Sequence, residues 1–275
     1  ARRAGVPLVF RALDVSHRIR ESPVSGLIRR AEKHIYGAAT MLSVHNEAMA
    51  EYCRDLSGRR GPVSINLPPL DLSHFAQEPS GDLRGRLGIG DDERVILYMG
   101  SFFRFSGLDL FLDAIAPRLL ADPRLRVVLL GGGELDDDLR QRADRLGIAD
   151  RVIFTGVIAY AELPLYLKLA DVAINPFHRE LLTDVALPHK VLQYMAAGVP
   201  VVSTSLRGLR STLGEESGVT WGDSPTDVAD RAAALAITGA AALAAISQRQ
   251  KTTVGSLFST DAAVDSFESM LESVV

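Results

Sequence analysis

Three features of this 275-residue sequence predict an α/β protein with a doubly wound parallel sheet, preceded by a smaller α/β segment. Its apolar runs, such as "RVILYMGS" and "LRVVLLGGG", lack the alternation of a strand with one wet face, so they read as strands buried on both sides. Helical stretches with one apolar stripe separate them, as in "SGLDLFLDAIAPRLL" with Leu108, Phe111, Leu112, Ile115 and Leu119. Glycine-rich loops follow several of the strands, which is where open α/β sheets bind ligands.

The elements run in order. "VPLVFRAL" is a short strand, and "SGLIRRAEKHIYGAATML" an amphipathic helix with Leu27, Ile28, Ala31 and Ile35 on its apolar face. "MLSVHNEAMAEYCRDL" gives a strand stub and a helix. "RGPVSINLPPLDLSHF" gives a strand and a proline-rich linker. The regular half then alternates: strand "RVILYMGS", helix from Leu108, strand "LRVVLLGGG", and helix "LDDDLRQRADRLG" closed by Gly147. Strand "RVIFTG", helix "AELPLYLKLA" and strand "DVAIN" follow. A loop and helix through "LPHKVLQYMAAG" lead to strands "PVVST" and "GVTW", helix "PTDVADRAAALA" and a last helix in "FSTDAAVDSFESMLESVV". The expected division is a first domain over 1–70, a linker and entry helix over 71–90, the main sheet domain over 91–255 and a closing helix over 256–275.

Bulk composition excludes several classes. Hydrophobic residues make up 47% and charged residues 23%, which suits a packed core rather than disorder. The net charge of −4 gives no case for nucleic acid. The lone Cys53 permits no internal disulfide and suggests a reducing, cytoplasmic setting. No apolar run reaches the roughly 20 residues of a membrane helix. Charge is uneven, however. Arg2, Arg3, Arg11, Arg18, Arg20, Arg29, Arg30 and Lys33 face only Asp14, Glu21 and Glu32 in residues 1–34. Such a face, through Arg29, Arg30 and Lys33, suits a peripheral membrane contact; the plain alternative is a solvated helix.

Three loops carry the candidate chemistry. In "GSFFRFSG", Gly100 lets backbone approach a ligand, Ser106 is placed to cap the next helix, and Arg104 offers a charge-assisted hydrogen bond. An ordinary glycine turn explains the same residues. In "GGGE", Gly131 to Gly133 permit close approach, of a ligand or of helix against strand. In "TDVALPHKVLQYMAAG", Pro188 suits a helix start, His189 and Lys190 sit at its positive end, and Gln193 lies one turn on. The alternative for Lys190 is a solvated helix lysine. His17, after the first strand, faces a cleft or simply the surface.

Together "LYMGSF", "SGLDLFLDAI", "VVLLGGGE", "DRVIFTGVIAYAELPLYLKLADVAINP" and "HKVLQYMAAGVPVVST" resemble the family 4 (group 1) retaining glycosyltransferases, over residues 94 to about 237 and more weakly back to residue 1. The resemblance implies a GT-B fold, a nucleotide-diphosphate sugar donor, a glycan or lipid-linked acceptor and no metal or other cofactor. It implies that the diphosphate lies between Gly100–Gly107 and the helix after Pro188, with Gly132 and Gly133 nearby. The base would meet Val157 and Ile158, and the ribose Gln193. The sugar would meet Glu180 or Asp184. Ser101 and Ser106 stand where the family usually has arginine and lysine, so Arg104 or Lys190 would compensate. The first domain would be incomplete, leaving an unpaired sheet edge near residues 7–12. The alternatives are a catalytically degenerate nucleotide-sugar or polysaccharide-binding protein, or a GT-B-fold nucleotide-sugar epimerase.

Overall fold

The computed structural model describes residues 5–19, 22–77 and 81–274. Arg2, Arg3, Arg20 and Glu21 of the basic N-terminal count lie outside them. Two parallel sheets form the frame. The first has three strands in the order β1 (Val9–Arg11), β2 (Met41–Val44), β3 (Val63–Ile65). The second has six: β4 (Arg94–Ser101), β5 (Leu125–Gly132), β6 (Val152–Gly156), β7 (Val172–Asn175), β8 (Val201–Thr204) and β9 (Thr220–Gly222). Their spatial order is β6-β5-β4-β7-β8-β9, and every pairing is parallel. The chain therefore winds outward from β4 to β6, returns, and winds the other way from β7 to β9. The crevice between β4 and β7 is the topological switch point, where ligands bind in such sheets.

The expected doubly wound sheet is thus present, and its glycine loops share one edge. Gly100 pairs with Gly131, and Ser101 with Gly132. Val95, Ile96, Leu97 and Tyr98 are all sealed from solvent, because helices cover both faces. Helix Leu108–Ala121 packs with Asp136–Arg145 and Pro225–Ala236; helix His189–Ala197 packs with Leu163–Leu169 and Ala240–Leu257. Helix Ala240–Leu257 is not marked in the sequence, where alanines and scattered polar residues leave little apolar periodicity.

The first unit differs from expectation in the rotation of helix Ser25–Ala38. Leu27 and Ala31 of the predicted apolar face are exposed, and Glu32 and Tyr36 turn inward. Glu32 does so because it meets buried His17 at 2.5 Å and accepts a hydrogen bond from the Ser16 amide. Tyr36 packs on Phe10. Among the described residues β1 pairs only with β2, so its outer edge is free of strands. The two units are stitched together. Leu182 and Val185, from the loop after β7, join the apolar core of the first unit. Asn66 donates to Ser266 in the last helix, Thr260–Glu272.

Arg59 is a buried cation held, among the described residues, by carbonyls. Its guanidinium donates to the carbonyls of Tyr36, Ala39, Thr40 and Pro62, tying the end of helix Ser25–Ala38 to β3. Burial lowers its pKa from the ordinary arginine value. Arg59→Ala is expected to destabilise the protein by ~3 kcal/mol in urea unfolding, because four carbonyls lose a charged donor and that of Pro62 keeps just the Leu42 amide. Lysine at this position cannot reproduce the fork. A loss below ~1 kcal/mol would show that water satisfies these carbonyls equally well.

Candidate active site

The carboxyl ends of the two sheets face one another across a cleft of about 750 Å³. From the first sheet come Arg11, Leu13 and Asp14 after β1, and His45 after β2. From the second come Phe105 after β4, Phe177 after β7, Thr183, and the loop and helix start Ala186–Lys190. The geometry centres on Lys190. Its ammonium donates to the Tyr98 hydroxyl at 2.8 Å and lies 4.0 Å from the Tyr98 ring centre and 4.5 Å from that of Phe177. The Tyr98 hydroxyl in turn donates to the Ser101 carbonyl. A methyl group on Gly100 would stand 2.8 Å from Lys190 Nζ, so the glycine is what lets the lysine fold over the end of β4. Among the described residues no carboxylate pairs with this ammonium. Burial holds its pKa well below the usual lysine value. A half-buried cation without a counter-ion, at the N-terminus of helix His189–Ala197, is an anion site by charge and by dipole.

The cleft wall is fixed from the first unit. The Val185 carbonyl accepts from His45 Nε2 and Asn46 Nδ2, both at 3.0 Å. Burial pushes the His45 imidazole below its usual pKa, with the Val185 hydrogen bond opposing. His189 is lowered too, by burial and then by Arg11.

A second cavity of about 920 Å³ adjoins the cleft, with Phe105 and Ile19 at the boundary. It is lined by Arg18, Arg104, Glu134, Asp138, Arg142 and Glu180, among others. Its charges are mixed, and Arg104 N donates to Glu134 Oε1 at 3.0 Å.

The model of the family described as Glycosyl transferases group 1 matches residues 93–237, which hold all six strands of the second sheet. The chain belongs to this family. The group 1 relatives include the alpha-monoglucosyldiacylglycerol synthase of Streptococcus pneumoniae, 30% identical over 67% of this chain and 41% of that protein. They also include the D-inositol 3-phosphate glycosyltransferase of Geodermatophilus obscurus, 31% identical over 72% of this chain and 46% of that one. The chain spans about half the length of the curated relatives it matches. Among solved structures, Anabaena Alr3699/HepE, in complex with UDP and glucose, superposes with a TM-score of 0.82 at 18% identity, over 97% of this chain and 72% of that one. Sucrose-phosphate synthase from Thermosynechococcus elongatus gives 0.78 at 22% identity, over 97% and 67%. These likenesses show the GT-B fold.

Within this group 1 fold the residues singled out from sequence scatter more than expected. Pro188, His189 and Lys190 line the cleft, but Lys190 is half-buried between rings rather than solvated. Arg104 and Glu180 line the neighbouring cavity. Ser106 does not cap the helix from Leu108: Gly107 holds that position at φ 66°, and Ser106 is buried in a single 3-10 turn. Asp184 accepts from the Arg207 amide and sits 3.7 Å from Arg179, away from both cavities. His17 does not face the cleft, since its ring is buried against Glu32 and Tyr52. Gln193 is half-buried, one turn beyond His189. Val157 is 85% exposed beyond β6, and Ile158 packs on the core. Gly131 and Gly133 have a reason of their own: a methyl on Gly131 would overlap the Gly100 carbonyl, and one on Gly133 would stand 2.7 Å from Phe102 N. A methyl on Gly132 would meet only an ordinary contact, Asp136 at 3.5 Å.

Tyr98, Phe177, Asp14, Arg11 and His45 were missed. A signal existed for the last three. They directly end or follow β1 and β2, so the carboxyl-end rule applied to the first sheet would have found them.

Proposed function

We propose that the protein is a retaining glycosyltransferase acting on a nucleotide-diphosphate sugar, with its diphosphate at Lys190. The observation that carries this reading is the uncompensated Lys190 ammonium at the switch point of a group 1 fold. The bound UDP of Alr3699/HepE, and curated relatives named as a monoglucosyldiacylglycerol synthase and an inositol 3-phosphate glycosyltransferase, support the reading. In this account the protein mainly positions the donor and takes up charge on the leaving diphosphate. Lys190 and the free amides at the start of helix His189–Ala197 supply that stabilisation. Gln193, a neutral group, supplies a weaker hydrogen bond to the ribose than a carboxylate would. Of Glu180 and Asp184, Glu180 is the better placed for the sugar, since it lines the adjoining cavity whereas Asp184 is committed to Arg207 and Arg179. No protein nucleophile is required.

A donor-binding protein without transfer is the second reading, favoured by the serines at 101 and 106. Incubating the chain with UDP- and GDP-sugars and a panel of acceptors, including diacylglycerol and inositol phosphate, and following glycosylated acceptor and nucleoside diphosphate release alongside calorimetric binding, separates the two. Saturable binding with release supports the transferase, and binding without release supports the second reading. Absence of binding to every donor contradicts both.

A further inference from the structure

Lys190 shares the cleft with a second unpaired cation. Arg11, the last residue of β1, lines it from the first unit. Its guanidinium is held from two sides: Nη2 donates to the Asn66 carbonyl at 3.1 Å, and the group lies 5.5 Å from the ring centre of Phe267 in the last helix. Asn66 is itself fixed, since its side chain accepts from Ser43 Oγ and donates to Ser266. The Arg11 Nε is buried without a hydrogen-bond partner, and among the described residues no carboxylate pairs with the group. The only carboxylate in the cleft lining is Asp14, which is exposed and outside ion-pair distance of both Arg11 and Lys190. Burial lowers the Arg11 pKa, yet a guanidinium stays charged in a protein. Its field reaches the neighbour of Lys190, where burial first and then Arg11 lower the His189 imidazole.

We propose that Arg11 is the first unit's contact to the donor diphosphate, which is clamped between Arg11 and Lys190 across the cleft. The inference rests on the donor reading above, and it adds a residue that lies outside the family match over 93–237. A buried N–H without a partner costs free energy that a ligand oxygen would recover, and the planar fork of arginine donors suits phosphate. A diphosphate diester bears one negative charge on each phosphate, so a single ammonium leaves half of its charge unmatched in an otherwise largely apolar cleft. A second cation on the opposite wall meets the other half. Because Arg11 and Lys190 stand on different sheets, the bound diphosphate would also tie the two units together. An anionic group on the acceptor is the other source of the same chemistry. The field of Arg11 at His189, next to Lys190, favours one shared anion over two.

The test is calorimetric titration of the 275-residue chain and its variants with UDP, GDP, uridine and guanosine. Arg11→Gln is expected to weaken binding of the preferred nucleoside diphosphate roughly tenfold or more, and to leave the matching nucleoside unchanged. Arg11→Lys should fall between parent and Arg11→Gln, since it keeps the charge and loses the fork. Arg86→Gln, which removes an exposed cation elsewhere, should bind as the parent does. The unfolding midpoint of each variant verifies that it is folded at the temperature of titration, and Arg11→Lys carries the comparison if Arg11→Gln is not. Diphosphate affinity kept within about twofold in the Arg11 variants would overturn the proposal and leave Arg11 to an acceptor anion. An equal loss for nucleoside and diphosphate would overturn it by marking Arg11 as a structural residue. An equal loss in Arg86→Gln would overturn it by marking a general effect of charge. Absence of UDP and GDP binding by the parent chain would overturn the donor reading and this inference with it, a result distinct from the other three.

Discussion

Replacing Lys190 with methionine is expected to weaken UDP binding by about 1.5–3 kcal/mol, roughly 10- to 150-fold, the range for hydrogen bonds to charged groups. Methionine keeps the volume between the Tyr98 and Phe177 rings and removes the charge together with its hydrogen bond to the Tyr98 hydroxyl, so the loss reports on the ammonium rather than on packing. The same variant should change the pH dependence of stability. Burial holds the Lys190 pKa well below the 10.5 of an ordinary lysine. Between the lowered folded value and 10.5 the unfolded chain binds more protons than the folded one, so stability rises with pH across that window. Lys190→Met should flatten that rise. A solvated lysine would give no such change, so thermal unfolding over alkaline pH distinguishes the two environments. Unchanged UDP affinity in the variant would remove Lys190 from the donor site.

Gly107→Ala is expected to cost about 2–4 kcal/mol of stability and to abolish most nucleotide binding. Gly107 sits at φ 66°, where an alanine carries an intrinsic penalty of about 1–2 kcal/mol. Its added methyl would overlap the Pro176 carbonyl and approach Pro225 to 2.8 Å. Those atoms belong to the end of β7 and to a helix packed across the sheet, so neither can yield alone. Relief would push the Phe103–Gly107 turn away from Pro176–Phe177, and Phe177 is one wall of the Lys190 box. Urea unfolding and UDP titration of the variant measure the two effects. A loss under ~0.5 kcal/mol with normal UDP binding would show that the switch-point loops are free to separate.

The sheet was legible in the sequence because strands buried on both faces leave unbroken apolar runs, as at Val95–Tyr98. Its parallel pairing followed from alternation with helices, whereas the strand order is seen only in the fold. What the sequence hid were contacts across long separations. Lys190 meets Tyr98 over 92 positions, and His45 meets Val185 over 140. No local pattern marks a tyrosine in an apolar strand as the seat of an ammonium. Helix Ser25–Ala38 was turned the wrong way for a related reason: periodicity favoured Leu27 facing inward, whereas the Glu32–His17 contact decides the rotation. The glycine cluster after β5 was ambiguous in sequence. In the fold, Gly131 and Gly133 are required by the neighbouring backbone of Gly100 and Phe102.

The account stands on the position of one diphosphate. A crystal structure of the chain with UDP measures it directly. The account predicts a diphosphate oxygen within hydrogen-bond distance, about 3 Å, of Lys190 Nζ, with another facing the amides that open helix His189–Ala197. A diphosphate held instead by Arg104 and Arg142 in the neighbouring cavity, with Lys190 still folded onto Tyr98, would contradict it.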